Sequence, residues 1–309
     1  MHFGLPPLHI PDGFLSVTIS LICWLVTVIA LSFAIARTNR NLGEKQVPLM
    51  GIMAAFIFAA QMINFPVAGG TSGHVLGAAL AAIVLGPWPA MIVMTAVIAV
   101  QALLFQDGGL LAMGANILNM GILPAVIGYG LYRSVLQSSR VVKLAIAGLA
   151  GWLSVIAGAL STSIQLWLSG TSNLQIVLLA MLGIHILIGL GEALITVGAL
   201  AYIFRTRPDL MSDKLERTRG GYGWIAAGLI ISLSVVLLAP FASAYPDGLN
   251  RVAMDLGFIE KTRGSVGIFS EYQLPFIGWS PAAQIAAGIL GMLAVGTVIL
   301  LLGRSLRER

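Results

Sequence analysis

Residues 17–36 read VTISLICWLVTVIALSFAIA, an uncharged run closed by Arg37. At about 1.5 Å per helical residue such a run reaches about 30 Å, the depth of a bilayer's hydrocarbon core. Eight more apolar segments follow it, near 49–65, 73–86, 88–105, 112–132, 142–168, 174–204, 223–243 and 282–303. The third is short, and the break at Gly86, Pro87, Trp88 and Pro89 separates it narrowly from the fourth. The predicted fold class is therefore all-α: a polytopic transmembrane helical bundle of about nine spans, seven in a core and two in a C-terminal module.

Composition agrees. Hydrophobic residues make up 58% of the 309 and charged ones 9%, against roughly a quarter charged in a soluble domain. Mean hydropathy is +0.95. Such a chain has too little polar surface to face water all round, and too much apolar content for disorder. Cys23 is the single cysteine and lies inside the first run, which excludes a disulfide scaffold and makes it a buried structural thiol. The net charge of +5 reflects short cationic segments between spans, with no basic face interleaved with aromatics, so no nucleic-acid partner is expected. No cation precedes Arg37, so a signal peptide's positive n-region is missing and the N-terminus is expected to be retained.

The cations set the orientation. With the N-terminus outside and the C-terminus inside, the cytoplasmic segments hold the clusters at 37–45, 133–143, 205–219 and 304–309, and only Arg251, Lys261 and Arg263 remain outside. All four histidines then fall in the outer half: His2 and His9 in the N-terminal tail, His74 after the Gly69–Gly73 turn, and His185 about a third of the way into the seventh span. Imidazoles beside an external amine suit a transition metal. On spacing alone a single histidine near a helix end is more often a hydrogen-bonded structural residue, and His185, seven residues before Glu192, reads as a packing or relay partner.

Several stretches together resemble one family. The run His9-Ile10-Pro11-Asp12-Gly13-Phe14-Leu15-Ser16 is similar to the N-terminal signature of CbiM/NikM, the substrate-specific (S) membrane components of energy-coupling-factor (ECF-type) cobalt and nickel importers. The likeness continues through Gly70–Gly77, Leu85–Trp88, Phe105–Gly109, Gly114–Gly121 and His185–Thr196, covering roughly 8–205. Pro246-Asp247-Gly248-Leu249-Asn250 resembles a two-helix PDGLE/CbiN-like module that accompanies these components, with Asn250 where Glu is usual. The domains are accordingly 1–205, the metal-binding core; 206–221, a polar cytoplasmic linker; and 222–309, the module, with an external loop at 244–281. Lacking His and Cys, that loop is expected to affect metal loading and not the binding chemistry.

The resemblance implies a metal site built from the chain's own start: an α-amino nitrogen, the next residue's amide nitrogen and imidazole, and a fourth nitrogen from His74. A plane of nitrogens favours Ni(II) or Cu(II), tolerates low-spin Co(II) and suits tetrahedral Zn(II) poorly. The family begins Met-His-Ile-Pro-Asp-Gly, whereas here Leu8 stands at the Met position after seven extra residues. Two readings stand. In the preferred one Leu8, through a leucine codon that initiates translation, is the initiator Met, and the metal donors are Leu8 (as its amine), His9 and His74. In the other Met1 and His2 supply amine, amide and imidazole. Asp12, Ser72, Asn116, Asn119 and His185 are expected to support the donors.

The chain has no Gly-x-x-x-x-Gly-Lys-Ser/Thr loop, so it is not an ATPase; it also lacks a metallopeptidase or other intramembrane enzyme motif. The resemblance implies a transmembrane coupling (T) component and cytoplasmic ATPase (A) subunits as partners, Co(2+) or Ni(2+) as transported substrate, delivery toward cobalamin biosynthesis or a nickel enzyme, and a bacterial or archaeal cytoplasmic membrane. The competing class is a self-sufficient secondary carrier or channel for a divalent transition metal. Ala30 and Ala34 offer a small-residue face for a partner helix or for ordinary packing.

Overall fold

The computed structural model describes residues 8–41, 43, 46–208, 223–264, 267–269, 272–278 and 280–307. Its principal helices are α1 (Val17–Asn41), α2 (Gln46–Gln61), α3 (Ala78–Leu85), α4 (Pro87–Phe105), α5 (Met113–Ile117), α6 (Leu123–Arg133), α7 (Arg140–Leu168), α8 (Leu174–Thr206), α9 (Gly223–Val236), α10 (Gly248–Asp255) and α11 (Ser280–Arg307). Among the described residues seven helical stretches are long and apolar enough to cross a membrane: α1, α4, the continuous α5–α6, α7, α8, α9 with its extension to Phe241, and α11. Their outward side chains are apolar, as at Leu21, Leu25 and Phe33 of α1 and Leu179 and Leu194 of α8. Such faces require lipid.

Each expected span meets a helix, but the third is altered. It is helical over only eight residues, about 12 Å, and all eight are buried. Gly86, at φ 86°, ends it, and Pro87 starts α4 at once, where a missing N–H is harmless. α3 is thus a half-helix enclosed by α2, α4 and α6. It ends beside the start of α2, where Gln46 Nε2 donates to Leu85 O at 3.5 Å, so helix and preceding loop together carry the chain from the His74 side to the other. Ala34 is fully buried and Ala30 packs against the same core, so the small-residue face of α1 is used within the chain.

Two features place the site. A short hairpin pairs β1 (Phe65–Pro66) antiparallel with β2 (Ser72–Gly73), leading into α3. Between α5 and α6 lies a π-helical turn, Leu118–Ile122, the kind of bulge found at functional sites.

The loop after α9 lies across the same end of the bundle. Asp247 caps α10, accepting from Asn250 N at 2.8 Å. Ser72 N donates to Pro246 O at 2.8 Å, and Phe14 meets Phe258 edge-on at 5.0 Å. Residues 209–221 of the linker, and Tyr222 at the start of the module, lie outside the described residues.

Candidate metal centre

The segment before α1 is held by polar side chains from α5 and from the turn that precedes it. Asn116 grips Ile10 on both sides, accepting from its N and donating to its O, each at 3.0 Å. Asp107 Oδ1 accepts the backbone N–H of Leu8 at 2.7 Å and of His9 at 3.2 Å, while Oδ2 accepts from the Tyr272 hydroxyl. Asp12 reaches the other way, its oxygens accepting from Ala112 N at 2.9 Å and Leu110 N at 3.1 Å. Two glycines make room: a Cβ on Gly109 would fall 2.0 Å from Asp12 Oδ1, and Gly108 sits at φ 105° against His9.

The exception in this saturated segment is the His9 ring. His9 is 2% exposed, yet neither Nδ1 nor Nε2 has a hydrogen-bond partner. Asp107 Oδ1 lies 3.9 Å from Nδ1, beyond hydrogen-bond reach. Buried polar atoms are nearly always paired, and an imidazole with both nitrogens unpaired is what a metal-binding side chain presents before its ion is bound.

His74 comes from the hairpin side, its ring centroid 5.5 Å from that of His9 and tilted 60°. Its Nδ1 lies 3.1 Å from Val75 O; with that nitrogen as donor, Nε2 keeps the lone pair, the arrangement metal-bound histidines use. Burial chiefly, and then His9, lowers its pKa to about 4, so it is neutral and able to ligate at ordinary pH.

The two rings open on a cavity of about 80 Å³, whose walls include Leu8, Asn116, Asn119, His185 and Asp247. Asn119 is tied to Thr162 at 3.1 Å and Gln165 at 2.7 Å. The π turn brings it onto the same wall as Asn116. His185 turns Nδ1 to Met181 O at 2.7 Å. Among the described residues no three His, Cys, Asp or Glu side chains are grouped to hold a metal by themselves, so further donors have to come from the backbone or from water.

Of the sequence-derived residues, Leu8, His9, His74, Asn116, Asn119 and His185 share the cavity. Asp12 and Ser72 stand behind it: Asp12 braces the arm, and Ser72 Oγ donates to Tyr245 O at 2.7 Å. Met1 and His2 lie outside the described residues. Three acids went unflagged: Asp107, Glu192 and Asp247. Asp247 belongs to the C-terminal loop and lines the cavity, so that loop, which has no His or Cys, brings a carboxyl group to the cavity wall. Burial raises its pKa to about 8. The Pro-Asp-Gly before a helix was its legible signal, as an N-cap.

Residues 9–210 match the family model described as the cobalt uptake substrate-specific transmembrane region, CbiM. The chain belongs to the CbiM family. It is therefore a multi-pass membrane component of transition-metal transport. A putative fused nickel transport protein NikMN of Archaeoglobus fulgidus is 37% identical over 95% of this chain and 96% of its own length, so the resemblance extends through the C-terminal module. A cobalt transport protein CbiM of Sorangium cellulosum is 35% identical over 62% of this chain and 86% of its own. A crystal structure of a transition metal transporter superposes with a TM-score of 0.59 at 35% identity, covering 69% of this chain and all of that one.

Proposed function

We propose that the chain is the substrate-capturing subunit of an ATP-driven ECF-type importer that binds Co(2+) or Ni(2+) outside, N-terminus out and C-terminus in, and releases it toward the cytoplasm. A separate transmembrane coupling protein and cytoplasmic ATPase subunits supply the energy. The metal goes to cobalamin biosynthesis or to a nickel enzyme in a bacterium or archaeon. The observation that carries this reading is the buried, unpaired imidazole of His9 beside His74.

The donors are the rings of His9 and His74 with the nitrogens of residues 8 and 9, residue 8 acting as a terminal amine when the chain begins there. Binding has to strip protons from amine and amide. Asp107 Oδ1 already accepts from both nitrogens, so it is placed to hold and orient the amine and the amide, whose protons leave to solvent. Four nitrogens in a plane select Ni(II) and low-spin Co(II) over Zn(II).

Vesicles containing the chain with and without coupling and ATPase subunits test the energy source. ATP-dependent uptake of radiolabelled Co(2+) or Ni(2+) only in the complete set is expected. Uptake by the chain alone, without ATP, would establish the self-sufficient carrier instead.

A further inference from the structure

Glu192 is the one acidic residue within the seven spanning helices, and it is fully buried on α8. Ionisable groups at membrane depth are rare and default to function. Both of its oxygens are committed to one stretch of main chain: Oε2 accepts from Leu76 N at 2.7 Å and Oε1 from Gly77 N at 2.9 Å. Gln61, at the end of α2, donates to Leu76 O at 2.8 Å. The peptide two residues beyond His74 is therefore gripped from both sides by helices of the bundle.

A second contact of α8 falls just before His74. A Cβ on Gly73 would come within 2.6 Å of Ile188, four residues from Glu192 and one helical turn away. His185, on the same face at i−7, lines the cavity. One face of α8 thus brackets His74, at residue 73 through Ile188 and at 76–77 through Glu192. His9 is anchored elsewhere, by its own N–H to Asp107 and through the neighbouring Ile10 to Asn116. The two imidazoles ride on different parts of the molecule.

We propose that Glu192 is a positioning residue that locks His74 to α8, so that the placement of α8 sets the separation of His74 from His9 and with it the affinity for the metal. A cap for α3 alone would not need an acid from a helix more than a hundred residues away; local Ser, Thr, Asn or Asp side chains do that. The inference rests on His74 being a metal donor.

The test uses the purified full chain and Ni(2+) alone, comparing Glu192→Ala, Glu192→Gln and, as reference, His74→Ala, by titration calorimetry and by the visible spectrum of the loaded protein. Glu192→Ala is expected to weaken binding about 10- to 100-fold, the range for residues that orient ligands, and to shift the ligand-field band. Glu192→Gln, which keeps one acceptor oxygen, should fall between it and the unaltered chain and decides the matter if the alanine variant does not fold. Variants less stable without metal but with unchanged affinity and spectrum in the folded fraction, while His74→Ala abolishes binding, would overturn the proposal and leave the site reading intact. Unchanged binding in His74→Ala would overturn both.

Discussion

The N-terminal arm, residues 8–16, and the hairpin segment, residues 72–77, each deliver one imidazole to the same cavity, but they are held differently. The arm is fixed mostly by side chains from 107–116 and by its own Asp12. The hairpin segment is fixed by Glu192 of α8 and Gln61 of α2 from within the bundle, and by residues 245–247 along its edge, where Ser72 bridges to Asp247. His9 has an unpaired ring on a rigid mount, whereas His74 has a half-satisfied ring on elements of three different origins. A donor set divided in this way closes when its two mounts are in register, and it loosens when one of them moves.

Removing a donor from either side tests this comparison most severely. His74→Ala and His9→Ala should each abolish high-affinity Co(2+) or Ni(2+) binding, a loss beyond the about 100-fold typical of supporting residues, while the protein stays folded in the membrane. Metal occupancy of the purified variants is the check, and normal occupancy in either removes that mount from the account. A chain that begins with Met at position 8 should bind tightly, and one extra residue ahead of that Met should weaken it, because a primary amine becomes an amide. If the seven-residue extension proves to be needed for binding, the chelate moves to Met1 and His2.

The module edge gives a smaller effect. Asp247, lifted to about 8 mainly by burial, holds a proton below that pH, and an arriving cation favours its ionised form and has to displace it. Asp247 should therefore add to the rise of affinity with pH only below about 8, on top of the rise due to the amine and amide protons, and Asp247→Asn should shallow the slope there by up to one proton. Calorimetry in buffers of differing ionisation heat counts the protons released; an unchanged count would take Asp247 out of the site's electrostatics. Smallest is Gly13→Ala. Gly13 sits at φ 98° with its Cβ direction 1.9 Å from Lys261 O, so about 1–3 kcal/mol of stability should be lost, seen as a lower unfolding temperature with metal-bound geometry preserved.

Much of this was legible in the sequence, and the exceptions have physical causes. Long apolar runs announce spans directly, and the arm's Pro-Asp-Gly and the Gln106-Asp107-Gly108-Gly109 turn carried the family likeness. The burial of residues 78–85 was not legible, because an alanine-rich run has the same hydropathy whether lipid or protein surrounds it, and here protein does. Glu192 was legible only as a lone acid within a span; the partners of Glu192 and Asp107 were not, because each accepts from backbone N–H groups roughly a hundred residues away, and a main-chain donor leaves no mark in a sequence. Asn116 and Asn119 are expected from the sequence to support the donors, but the π turn that puts them on one wall has no simple periodicity.

The central claim is that one metal ion sits between the two mounts, bound by nitrogens that include both imidazoles. X-ray absorption on the Ni(2+)-loaded full chain tests it most directly. The account predicts a shell of about four nitrogens near 2 Å with outer scattering from two imidazole rings, falling to one ring if any metal is retained in His74→Ala. A six-oxygen shell, or a loaded spectrum unchanged by loss of His74, would contradict it.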